Sequence, residues 1–152
     1  MDIFVMRHGE AEMNAGSDQA RKLNLRGLQQ ANAQGIWLKS TALFDKVLVS
    51  PYIRAQETFK QINLIFDDEL SNTQETWQGI TPYGNASTVV DYLDVLAEQG
   101  VKSVLIISHL PLVGEIVGAL CGSNGVRFYP STVAHVVWDR KTGHLEQIKY
   151  PE

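Results

Sequence analysis

A chain of 152 residues, 44% apolar and 20% charged, is long enough to fold as one domain with a substantial core. Its net charge of -4, from 13 basic and 17 acidic residues, argues against sequence-independent nucleic-acid binding, which needs a basic footprint. A single cysteine, Cys121, excludes an intramolecular disulfide framework and a cysteine metal cluster, and no apolar run approaches the roughly 20 residues that span a bilayer. We expect one domain over residues 1–152, a cytoplasmic location, and no membrane or nucleic-acid partner. Met1 leads almost directly into a strand, without a charged n-region and following apolar segment, so no targeting signal is expected.

In chain order, Asp2–Met6 reads as a first strand, followed by a polar loop to about Asn24. A helix from Leu25 to Lys39 carries Leu25, Leu28, Ala31, Ile36 and Leu38 on an imperfect apolar face. Lys46-Val47-Leu48-Val49 is a second, buried strand. Ser50-Pro51 reads as an N-cap and first helical residue of a helix to about Phe66, whose inner face is Ala55, Phe59, Ile62 and Phe66. Residues 67–85 look irregular, with a turn at Thr81-Pro82-Tyr83-Gly84. Ser87 can cap a helix to Gln99 with the stripe Val89, Val90, Leu93, Leu96 and Ala97, stopped by Gly100. Val104-Leu105-Ile106-Ile107 is the clearest central strand. Pro111 opens a helix carrying Leu112, Val113, Ile116, Val117 and Leu120 inward, with Cys121 as a small core residue. Thr132–Trp138 and His144–Ile148 are closing strands joined by Lys141-Thr142-Gly143. Strands alternating with helices predict an α/β fold: three layers around a mostly parallel sheet.

In such a sheet, ligands bind outside the carboxyl ends of the strands. The first strand ends in Arg7-His8-Gly9, the second in Ser50-Pro51-Tyr52-Ile53-Arg54, and the central one in Ser108-His109. Each places a cationic or potentially cationic side chain on one edge, so residues distant in sequence can converge. Arg54 and His109 also sit near helix N-termini, where free N–H groups favour an anion. A nitrogen nucleophile beside fixed positive charge suits phosphate chemistry. The lack of a glycine-rich loop after the first strand disfavours a nucleotide-binding sheet.

Met6-Arg7-His8-Gly9-Glu10, Leu25-Arg26-Gly27-Leu28-Gln29-Gln30-Ala31, Ser50-Pro51-Tyr52-Ile53-Arg54-Ala55-Gln56-Glu57-Thr58 and Ser108-His109 together resemble the histidine phosphatase superfamily, the phosphoglycerate mutase-like group. The resemblance is collinear from Met1 to about Leu120. Within that group the short length, Ser17-Asp18 with Arg21, Thr81-Pro82-Tyr83-Gly84 and Ser108-His109-Leu110-Pro111-Leu112-Val113-Gly114 are similar to the SixA-type phosphohistidine phosphatases. The resemblance implies a phosphoglycerate mutase-like fold without a large helical lid. It also implies His8 as nucleophile, Arg7 and Arg54 as grips on the phosphoryl oxygens, and His109 as a further donor. Asn14 falls where many members place an asparagine against the phosphoryl group. Arg21 either borders the pocket or pairs with Asp18. Glu10 reads as a loop or packing residue. His135 and His144, in the closing strands, are given no catalytic part.

Many relatives use a carboxylate after the second helix to protonate a leaving alkoxide. Trp77-Gln78-Gly79-Ile80-Thr81-Pro82 holds none, Glu75 is the nearest candidate, and Asp67, Asp68 and Glu69 read as solvated loop charges. A phosphorylated imidazole departs as a neutral ring and needs less acid help, which favours phosphohistidine over phosphate monoesters. About twenty residues between the second and third helices leave little room for a roof, so the pocket can admit a side chain presented by another protein. The implied partner is a phosphohistidine-containing protein, either a phosphotransfer domain or a phosphocarrier, in a phosphorelay. The enzyme is expected to be a monomer without cofactor, and its four histidines lack metal-ligand spacing. Two other readings stay open: a small-molecule phosphatase or mutase-like enzyme using Glu75 as acid, and a catalytically silent phosphoprotein-binding module.

Overall fold

The structure, a computed structural model, describes residues 1–151; Glu152, the last residue of the expected domain, lies outside the described residues. Six strands form one sheet: β1 (Asp2–Arg7), β2 (Lys46–Val49), β3 (Gln74–Thr76), β4 (Ser103–Ser108), β5 (Val133–Trp138) and β6 (Gly143–Lys149), in the order β3-β2-β4-β1-β5-β6. The pairs β3–β2, β2–β4 and β4–β1 are parallel, while β5 runs antiparallel to β1 and β6 antiparallel to β5. The α/β, mostly parallel class expected from the chain is the class observed.

Period-two alternation assigns each strand residue a face. Ile3, Val5, Val104 and Ile106 enter one core with Val89, Leu93, Leu112 and Ile116, whereas Phe4, Met6, Leu105 and Ile107 enter the other with Leu38, Ala55 and Ile62. The first core lies under α3 (Ala86–Glu98) and α4 (Leu112–Cys121), the second under α1 (Leu25–Thr41) and α2 (Ile53–Ile65). Three layers result, and the continuous aliphatic runs of β2 and β4 follow from burial on both faces. Cys121 is partly buried against the first core.

Four local expectations need correcting. Leu25 and Ile36 are exposed; α1 instead buries Gly27, Ala31, Gln34, Gly35 and Leu38. The reason is close packing on α2: a Cβ on Gly35 would stand 3.2 Å from the Cα of Ile62, so a small residue must face inward there. Helix α2 starts at Ile53 with Tyr52 as N-cap, so Ser50 is not the cap. The cap of α3 is Asn85, whose Oδ1 accepts from the Ser87 and Thr88 amides, rather than Ser87. Residues 67–85 are not wholly irregular: β3 extends the sheet beyond β2, followed by a 3-10 turn at Gln78–Ile80. The Thr81–Gly84 turn closes as expected, with the Gly84 amide donating to the Thr81 carbonyl at 3.0 Å.

Candidate active site

Strand register brings the key residues together. In the β1–β4 ladder Arg7 stands opposite Ser108, so the next residues, His8 and His109, emerge side by side. The β2–β4 register sets Val49 opposite Ile107, which puts Ser50 one step short of His109 on the neighbouring strand end. The ladder continues past β1, with the His8 amide donating to the Ser108 carbonyl at 3.0 Å and Ser50 N–H to the Ile107 carbonyl at 3.1 Å. The His8 and His109 rings lie 5.0 Å apart between centroids.

The loop after His8 is held by close backbone approach. A Cβ on Gly9 would meet the Gly27 carbonyl oxygen at 2.7 Å, and one on Gly27 would meet the Glu10 carbonyl oxygen at 2.0 Å, so both positions require glycine. The Gly9 amide donates to Thr58 Oγ1 at 3.0 Å, and that hydroxyl donates to the Arg54 carbonyl at 2.8 Å, tying the loop to α2. Glu10 is structural, as expected: its Oε2 accepts from Asn24 Nδ2 at 2.8 Å.

The state of His8 follows from its partners. Nδ1 lies 2.7 Å from the Gly9 carbonyl, which can only accept, so this nitrogen carries the proton. Nε2 is 3.2 Å from Arg54 Nε, which can only donate, so Nε2 presents its lone pair. Burial first, and then the Arg54, Arg7 and Arg21 charges, outweigh the Gly9 hydrogen bond and lower the His8 pKa to about 3. His109, 1% exposed, is lowered to about 2 by burial, by His8 and by Arg54 and Arg7. Both rings are therefore neutral at neutral pH.

Two guanidiniums frame the pair. Arg54 is 5% exposed, donates through Nη1 to the Asp18 carbonyl at 2.7 Å and through Nη2 to Asp18 Oδ2 at 3.3 Å, and lies over the Tyr52 ring at 5.1 Å. Arg7 Nη1 donates to the Phe128 carbonyl at 2.9 Å, and its buried Nε has no partner. Burial and the Arg54 and Arg21 charges lower the Arg7 pKa. Arg21 pairs with Asp18 Oδ1 at 3.1 Å, and its charge reaches Arg7 and His8. Asn14 is exposed in the 12–20 loop and, among the described residues, hydrogen-bonds none of the other five. The structure thus brings Arg7, His8, Arg21, Arg54 and His109 together and shows no hydrogen bond from Asn14 to any of them.

Neither Glu75 nor Asp18 is free to supply a proton. Burial raises the Glu75 pKa, but a 2.5 Å hydrogen bond from Tyr92 and a 3.0 Å pair with Lys46 outweigh it and leave the carboxyl below its usual value. Tyr92 is correspondingly raised to about 12, by burial and by Glu75. Asp18 is lowered in the same way, burial being overcome by Arg21 and Arg54. The chain reading missed three contributors: Asp18 as the seat of Arg54, Thr58 as the tie, and Ser50, whose hydroxyl lies 2.7 Å from His109 Nε2. No group of three or more His, Cys, Asp or Glu side chains among the described residues is arranged to hold a metal ion.

A buried neutral imidazole whose Nε2 lone pair faces a fixed guanidinium, with a second guanidinium close by, is chemically suited to attack an oxyanion-bearing electrophile. The sequence profile of the histidine phosphatase superfamily (branch 1) matches residues 3–82. The chain is 60% identical to the phosphohistidine phosphatase SixA homolog of Haemophilus influenzae, covering 91% of this chain and 89% of that one. It is 39% identical to phosphohistidine phosphatase SixA of Escherichia coli, covering 91% and 86%. The structure of the protein histidine phosphatase SixA complexed with tungstate superposes with a TM-score of 0.94 at 37% identity, over 99% of this chain and 97% of that one. This chain belongs to the histidine phosphatase superfamily.

Proposed function

We propose that this chain is a protein-phosphohistidine phosphatase that works through a phosphorylated His8. The observation that carries the reading is the bond pair on His8: Nδ1 donates to the Gly9 carbonyl while Nε2 keeps its lone pair among three arginines. The phosphoryl group of the substrate histidine enters where Arg54 Nε now meets Nε2. Its oxygens take up the donors of Arg7 and Arg54, with His109 adding one more and Arg21 closing the rim. Asn14, on the exposed 12–20 loop, adds a further contact to the bound group on this reading.

In the first step His8 Nε2 bonds phosphorus as the substrate N–P bond breaks, and the substrate ring, protonated on its other nitrogen, leaves as neutral imidazole. Attacking and leaving groups are then the same chemical species, so the exchange needs no general acid. Water next bonds phosphorus as the Nε2–P bond breaks, and its hydrogens leave on inorganic phosphate. Glu75 and Asp18, both held ionised, fit a reaction that asks for no carboxylic acid. A sugar alkoxide would need one. The similarity to relatives named for phosphohistidine points the same way, as does tungstate, a tetrahedral oxyanion, bound to the matching structure.

The partner class on this reading is a phosphotransfer domain or phosphocarrier protein of a phosphorelay, met by a cytoplasmic monomer made of one catalytic domain. The test is a side-by-side assay of a phosphohistidine protein, a sugar phosphate and an aryl phosphate, with and without chelator. The phosphohistidine protein should give the highest kcat/KM, unchanged by chelator. Preference for the sugar phosphate, strongly reduced in Glu75→Gln, would select a small-molecule phosphatase, and binding without hydrolysis a silent binding module.

A further inference from the structure

Ser50 is fully buried at the end of β2, and its hydroxyl lies 2.7 Å from His109 Nε2 and 3.2 Å from the Tyr52 amide nitrogen. The Tyr52 N–H can only donate, so it occupies an acceptor site on Ser50 Oγ. His109 Nδ1 is buried and has no partner. Two tautomers of the neutral ring are possible. With the proton on Nε2, that nitrogen donates to Ser50, the serine O–H is left without an acceptor, and Nδ1 becomes a bare acceptor without a donor. With the proton on Nδ1, the serine O–H donates to Nε2 while accepting from Tyr52, and only the Nδ1–H donor is left over. An unmade bond on a buried polar group costs its full desolvation, so the arrangement with fewer orphans is the stable one.

We propose that Ser50 is a positioning residue that fixes His109 as the Nδ1–H tautomer and thereby directs a hydrogen-bond donor at the phosphoryl group. The inference rests on the phosphatase reading for its function, though not for its geometry. With Nε2 committed to Ser50, Nδ1 is the one ring nitrogen of His109 able to serve an incoming oxyanion. The tilted His8 ring at 5.0 Å and the edge-on Tyr52 ring at 5.1 Å limit rotation of the imidazole, so the hydroxyl fixes protonation and orientation together. The Ser50-Pro51 pair, which reads in the chain as a helix cap, is then part of the site: the serine is released from capping because α2 starts at Ile53.

The experiment is nitrogen-15 NMR of the imidazole rings in wild type, Ser50→Ala and Ser50→Thr, free and titrated with inorganic phosphate, alongside kcat/KM on a phosphohistidine protein. Wild-type His109 should show a protonated Nδ1 and a bare Nε2, with the Nδ1–H signal moving on phosphate addition. Ser50→Ala should shift the ring toward the Nε2–H form and lower kcat/KM by about tenfold to a hundredfold, by analogy with metal-bound histidines that lose the partner fixing their ring. Ser50→Thr, which keeps the hydroxyl, should restore the wild-type tautomer. Wild-type His109 protonated on Nε2 overturns the proposal even if Ser50→Ala fails to fold. So does an unchanged tautomer and rate in a folded Ser50→Ala. A wild-type enzyme inert toward phosphohistidine but with His109 protonated on Nδ1 would sink the phosphatase reading and leave the tautomer assignment standing.

Discussion

Two pairs of histidines sit on the same sheet and differ in almost every respect. At the carboxyl ends of β1 and β4, His8 and His109 are buried, lie within reach of the arginine charges, and among the described residues hydrogen-bond no carboxylate. On the closing hairpin, His135 meets the Asp2 carboxylate at 2.8 Å and stacks on Phe4 at 4.1 Å, and the His144 side chain is 79% exposed. The first pair is kept neutral by burial and by cations. The second is placed as a packed, paired surface residue and a solvated one. An imidazole becomes a candidate nucleophile through its neighbours: a carbonyl takes one nitrogen's proton and fixed charges favour the bare form of the other. The sheet edge decides which neighbours are available, because parallel strands deliver several loops to one place whereas the hairpin delivers a single turn.

That contrast can be broken by mutation. His8→Ala should lower turnover of a phosphohistidine protein by on the order of 10⁴-fold or more while leaving the thermal midpoint within a few degrees of wild type. Full activity in that variant would remove the difference between the two pairs. Arg54→Ala, which withdraws both the partner of Nε2 and an anion grip, should cost roughly 10²–10³-fold in kcat, read from steady-state rates.

The two regions should also part company in acid. Folded-state pKa values of about 3 for His8 and about 2 for His109 lie below the 6.5 of an ordinary histidine, so the unfolded chain binds more protons across that window. Their contribution to stability is therefore complete above about pH 6.5 and is lost progressively below it, by on the order of a few kcal/mol. Urea unfolding at pH 7 and pH 5 should show a smaller loss in His8→Ala than in wild type; equal losses would mean His8 is not held neutral. His135→Ala, by contrast, should cost about 1 kcal/mol of stability, from the Asp2 bond and the Phe4 stack, with kcat/KM unchanged within twofold. Glu75→Gln should leave phosphohistidine turnover nearly intact, since its carboxylate is occupied by Tyr92 and Lys46.

Much of this was readable along the chain, for identifiable reasons. Strands β2 and β4 announce themselves as aliphatic runs because both of their faces are buried. The convergence of Arg7, His8, Arg54 and His109 follows from their common position after strand ends. What escaped had no local signal. Strand β3 is Gln-Glu-Thr, three polar residues held as a strand only by β2 on one side. The inner face of α1 is marked by glycines and an alanine because close backbone approach, of the Glu10 loop at Gly27 and of α2 at Gly35, selects small residues rather than hydrophobic ones. The caps shifted by a residue or two: Asn85 outcompetes Ser87 at the start of α3, while α2 begins at Ile53 after a Tyr52 that makes no side-chain cap bond. Ser50 carries two meanings in one residue, and only the position of His109 across the sheet tells them apart.

The central claim is that His8 Nε2 carries the phosphoryl group. Rapid-quench mass spectrometry of the enzyme mixed with a phosphohistidine protein tests it directly. The account predicts a transient phosphoryl group on Nε2 of His8 that is absent from His8→Ala. A phosphoryl group on any other residue, or undiminished turnover in His8→Ala, would contradict it.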